Sequence, residues 1–170
     1  MGPLQRAVSC VSPAVLMHAR QISPGSPIHG LTFGGAADVE LRGQTRYLFS
    51  MVQQFRVIRA EGELGPYKVS TILYNYRLQA EDGPEVVAFH WHPTRDADWP
   101  HRHPHLHIGR GLGSGLAARA TRYHFPTGRV CLEQVLRFAI KDLLVRPIKD
   151  NWEQILDQGQ QTHEEWRTWP

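Results

Sequence analysis

The segment from Tyr67 to Leu78 constrains this chain more than any other. Val69, Thr71, Leu73, Asn75 and Arg77 alternate with Ser70, Ile72, Tyr74 and Tyr76. A period of two in β-branched and aromatic residues reads as a strand, because successive side chains of extended backbone leave opposite faces. Glu81-Asp82-Gly83-Pro84 is a turn signal, and Glu85–His92 resumes the extended pattern. An antiparallel hairpin follows. A hairpin alone cannot bury its apolar face, so further strands or a helix layer must cover it.

The helix layer is predicted at the C-terminal end. Leu132, Val135, Leu136, Ala139, Ile140, Leu143 and Leu144 recur at helical spacing. Cys131 stands where Ser or Thr would form a capping box with Gln134, and Pro147 ends the helix. Asn151 is placed to cap a second helix from Trp152 onward, with Ile155 and Leu156 inward.

Upstream, Ala37–Leu41 predicts a short strand, and Arg46–Ala60 mixes helical and extended periods. Pro104–Ile108 reads as extended, Gly109–Gly115 as a glycine-rich loop and Phe125–Gly128 as a turn. The fold class is α+β: an antiparallel sheet of about four to five strands, with two C-terminal helices packed on one face. Residues 1–30, broken by Pro13 and a turn or linker at Ser23–Pro27, read as a loosely ordered arm rather than a signal peptide. Residues 31–170 read as a single α+β domain.

Composition narrows the function classes. A chain of 170 residues is one domain's worth. Two cysteines, Cys10 and Cys131, exclude a disulfide framework and suit a reducing, cytoplasmic compartment. No apolar run approaches the roughly 18–20 residues of a bilayer span, so no membrane partner is expected. The net charge of +3 conceals an asymmetry. From Trp99 to Leu132 there is no acidic residue, but there are five arginines: Arg102, Arg110, Arg119, Arg122 and Arg129. A basic stretch of this kind points to an anionic partner such as phosphate or RNA. The tail aromatics Trp152, Trp166 and Trp169 point to partner contact, a homo-oligomer among the options, although Trp152 at helical spacing reads rather as core.

Seven of the ten histidines fall between His90 and His124. His90-Trp91-His92 and His103-Pro104-His105-Leu106-His107 each place histidines two residues apart, hence on one face of a strand. If the two strands pair, these imidazoles converge, with His101 near the edge and His124 in reserve. Crowded imidazoles repel when protonated, so their pKa values fall and the neutral ring persists. Neutral imidazole is what a metal ligand or a general base requires.

Three chemistries can use such a cluster. A divalent metal such as Zn would take His90, His92, His105 and His107 as ligands, with Asp96 or Asp98 offering a carboxylate. Alternatively, no cofactor is needed: His90 and His92 serve as base, His105 and His107 as acid, and Arg102 or Arg122 holds the substrate phosphate. Third, His103-x-His105-x-His107 is similar to the histidine-triad signature, which implies nucleotidyl transfer with His105 as nucleophile. Pro104 and Gly109 depart from that pattern. The glycine-rich loop matches neither the P-loop nor the dinucleotide fingerprint.

The layout from Tyr74 to Leu144 resembles the TumE-like toxins of toxin–antitoxin systems. Its elements are Tyr74-x-Tyr76, then Phe89-His90-Trp91-His92-Pro93, then Pro104-His105-Leu106-His107-Ile108-Gly109, then Leu132-Glu133-Gln134-Val135-Leu136. The resemblance implies a small α+β toxin acting on RNA and neutralised by an antitoxin protein. The expected activity is ribonuclease cleavage of RNA phosphodiesters at a histidine-rich site. The alternatives are a metal-dependent Zn or Mn hydrolase using the same histidines, and a non-catalytic metal-binding or protein-interaction module.

Overall fold

A computed structural model describes residues 2–19, 28–35, 37–59, 65–93, 102–112 and 124–166. The expected turn at Ser23–Pro27, Asp96, Asp98, His101, Gly113–Gly115, Arg119, Arg122 and Trp169 lie outside these residues.

Two long strands, β4 (Tyr47–Arg59) and β5 (Tyr67–Ala80), form the spine of an eight-stranded antiparallel sheet. Their neighbours are β1 (Leu16–Ala19), β2 (Ile28–Phe33), β3 (Val39–Leu41), β6 (Glu85–Trp91), β7 (His105–Ile108) and β8 (His124–Pro126). The order is β1-β2-β4-β5-β6-β7-β8, and β3 shares the edge of β4 beyond β2. The α+β class with an antiparallel sheet and C-terminal helices is what the sequence predicted. The sheet is larger than the four to five strands expected, because β1, β2 and β8 are short and carry no clean alternation. The region read as a Phe125–Gly128 turn begins as β8, paired to β7.

Among the described residues, three helices cover one face: α1 (Pro3–Val8), α2 (Leu132–Lys141) and α3 (Trp152–Trp166). Leu132, Val135, Leu136 and Ala139 are buried against Phe49, Met51, Tyr76, Leu78 and Val87 of the sheet, in a core that also takes Leu156. Part of the stretch expected as a loose arm joins this core. Ala7, Val8, Cys10 and Val11 are buried, because the apolar turn after Pro3 supplies cover that α2 and α3 alone leave open.

The N-terminus of α2 follows the expected cap, with the Cys131 N–H donating to Gln134 Oε1 at 2.9 Å. Its C-terminus does not. The helix stops at Lys141, well before Pro147. Leu144 takes a left-handed φ of 57°, and Val145 turns back to bridge Gly43. Burying Val145 against β3's neighbourhood wins over continuing the helix.

Two bulges set which residues share a face. Gln54 pairs with Leu73 but Phe55 pairs with Thr71, so Ile72 is the extra residue. The alternation of β5 changes phase there: Thr71 joins Tyr74, Tyr76 and Leu78 on the helix face, not Asn75 and Arg77 as a continuous period predicts. A second bulge leaves Val86 without a partner between the Leu78–Val87 and Gln79–Glu85 pairs. The Gly109 N–H closes β7 by donating to the Val86 carbonyl at 2.9 Å. A Cβ on Gly109 would run into the Glu85 carbonyl, so this close approach requires glycine. No helix among the described residues is long and apolar enough to cross a membrane.

Candidate metal centre

The face of the sheet away from the helices carries the histidines. Along β6, Val87, Phe89 and Trp91 pack toward the core, so Ala88 and His90 face the other way. His90 pairs directly with His105, Ala88 with His107, and His107 with His124. Three adjacent strands therefore bring their imidazoles to one place. Ala88 is fully buried among them and is small enough to leave room for larger neighbours.

Ring centroids lie 4.8 Å apart for His90 and His107, 4.9 Å for His105 and His107, and 5.7 Å for His90 and His105. His90, His105 and His107 each offer one ring nitrogen, and those three atoms lie within 4.8 Å of one another. This is close enough for one ion to be shared. His92 stands against His90, at 5.5 Å between centroids. His124 sits 4.2 Å from His107 and 5.0 Å from His105. Of the four histidines singled out from sequence, three form the tight set and His92 flanks it. His124, held in reserve, joins at the opposite flank.

The protonation states favour a ligand set. Burial, followed by the neighbouring His107, His92, His105 and His124, lowers the His90 pKa to about 3. Its ring therefore stays neutral at physiological pH. His105 is 5% exposed, and its Nδ1 lies 2.7 Å from the His103 carbonyl oxygen. A carbonyl only accepts, so Nδ1 carries the proton and the lone pair falls on Nε2. A backbone carbonyl that holds the second ring nitrogen is the usual outer partner of a metal-ligating histidine. His103 thus serves the site through its backbone, and its side chain is exposed.

Two orphaned atoms mark the same face. His90 Nε2 is buried with no hydrogen-bond partner. Asn75, the cross-strand partner of His90, buries its Oδ1 in the same condition. Buried polar atoms are ordinarily satisfied, so an electron-poor group there would offset their desolvation. Sequence reading missed Asn75. Its alternation was visible, but pairing it with His90 requires the hairpin register, which the bulge at Val86 shifts.

The arginines do not converge in the same way among the described residues. Arg102 is exposed just ahead of β7, and Arg110 is exposed in a short 3-10 turn (Arg110–Leu112). Arg129 stacks its guanidinium 3.7 Å from the centroid of Trp91, a residue of the helix-side core.

No family model matches this chain, and neither does any curated protein or solved structure.

Proposed function

We propose that this protein is a metal-dependent hydrolase of RNA phosphodiesters, built on His90, His105 and His107. The observation that carries the reading is the three-nitrogen set within 4.8 Å, with His105 oriented by the His103 carbonyl. An all-imidazole set suits Zn, Cu, Fe or Ni rather than Mg or Ca, and three protein ligands leave a position open for substrate or water. When bound, such an ion would supply Lewis acidity toward a phosphoryl oxygen and acidify water.

The protein's own residues would do the rest. His90 stays neutral and offers a lone pair. His92, in ring contact with His90, and His124, in ring contact with His105 and His107, are positioned to carry protons in and out. Arg102, exposed just ahead of β7, would add attraction for a polyanion.

The metal-free ribonuclease is the second reading, favoured by those two extra imidazoles. It needs a protonated imidazole beside a neutral one and an arginine on the phosphate. The neutral His90 fits either reading, and the engagement of Arg129 with Trp91 favours the metal one. The resemblance to TumE-like toxins adds a setting, in which an antitoxin would co-purify with the chain.

The test is metal analysis of untagged protein, followed by RNA cleavage with and without chelator. Stoichiometric Zn, Cu, Fe or Ni, with cleavage lost to chelator and restored by the metal, supports the proposal. Chelator-resistant cleavage that leaves a 2′,3′-cyclic phosphate supports the metal-free route. Bound metal without cleavage identifies a binding module.

A further inference from the structure

The helix face of the sheet holds a second feature, separate from the histidines. A cavity of about 320 Å³ is lined by Leu4, Val69, Thr71, Glu133, Gly159 and Trp166, among others. Glu133 is 1% exposed, and its Oε2 has no hydrogen-bond partner. Burial raises its pKa, against the opposite pull of its own backbone N–H and the Cys131 side chain.

Gly159 makes room for this carboxylate. It lies inside α3, where glycine is unfavourable. A Cβ there would stand 2.7 Å from Glu133 Oε1 and 2.9 Å from its Cγ. The wall beside it is ordered by a relay. The Tyr76 hydroxyl donates to Gln53 Oε1 at 3.0 Å, and Gln53 Nε2 donates to Thr71 Oγ1 at 3.1 Å. A buried carboxylate and a helix-interior glycine are two unfavourable choices that make sense together as an acceptor at a cavity wall.

We propose that this cavity binds a small organic cation, a primary ammonium on an apolar body. The ammonium donates to Glu133 Oε2, and the apolar body packs against Leu4, Val69 and Trp166. Pairing satisfies a charge that is otherwise costly to bury, which gives a cation its advantage over a neutral isostere. Lys68 and His163 also line the cavity, so preference for a neutral or anionic ligand is the competing outcome.

The test titrates the full chain with benzylamine, phenethylamine and hexylamine, each against its alcohol, and with 3-phenylpropionate. Calorimetry and amide chemical shifts report binding. At least one amine should saturate and bind about tenfold or more tighter than its alcohol, a difference of about 1.4 kcal/mol. Glu133→Gln should remove that advantage, and because it deletes a buried charge it should fold. Should it not fold, the wild-type shifts at Thr71 and Gly159 decide, and their absence overturns the proposal. The proposal also fails if no amine saturates by about 10 mM. It fails equally if amine and alcohol bind alike, if the carboxylate binds best, or if Glu133→Gln keeps the preference.

Discussion

His105→Ala should remove most of the thermal stabilisation that Zn confers on this protein. An ion that binds only the folded chain stabilises it by about 2.7 kcal/mol when present at 100 times its Kd. For a chain of 170 residues, each kcal/mol moves the Tm by roughly 2–4 °C, so wild type should gain about 5–11 °C. His105 is one of three ligands, and it is the one whose tautomer is set by the His103 carbonyl. Loss of even an outer partner weakens metal binding by about 10–100-fold. At the same Zn concentration, that leaves only about 0.4–1.4 kcal/mol. The assay is thermal melting of chelator-treated protein across a ZnCl₂ titration. The comparison is a double alanine variant of His18 and His29, whose ring nitrogens approach to 3.0 Å on β1 and β2. That variant should keep the full shift. Zn binding to unfolded histidines lowers every shift alike and leaves the ranking intact. A full shift in His105→Ala, or its loss in the His18/His29 variant, would refute the assignment.

Other consequences follow from the same structure. Leu136 is fully buried between α2 and the sheet, so Leu136→Ala should cost about 2–5 kcal/mol in urea unfolding; an unchanged midpoint would make α2 peripheral. Glu133 has a folded pKa raised above its ordinary 4.5, chiefly by burial, so the folded chain holds that proton more tightly than the unfolded one. Its contribution to stability is fully present below pH 4.5 and is lost as pH rises through the folded value. Glu133→Gln should flatten the decline in denaturant titrations from pH 4 upward. RNA binding, read by fluorescence anisotropy, should weaken with salt, and Arg102→Ala should reduce the log–log slope by about one. Binding insensitive to salt would contradict the role of the basic stretch.

How much of this was legible in the sequence depended on the range of the interaction concerned. Alternation is a local property of extended backbone. The residues of β5, β6 and β7, and the shared faces of His105 with His107, could therefore be read directly. The buried face of α2 and its Cys131–Gln134 cap are local in the same sense. Register is not local. The bulges at Ile72 and Val86 move Thr71 to the helix face and set Asn75 beside His90, and neither leaves a mark in the alternation itself. The short strands β1, β2 and β8 exist because neighbours offer them backbone partners, so their own residues say little. Leu143 and Leu144 keep a helical period beyond the last turn of α2, yet the chain leaves the helix there because Val145 is buried elsewhere. For the site, sequence alone determined that His105 and His107 point the same way along β7, whereas His103, expected on the same face, falls outside the strand with its side chain exposed. Only the tertiary structure decided that β6, β7 and β8 lie side by side. Side-chain direction is set within a residue or two, whereas strand adjacency is set by the whole sheet.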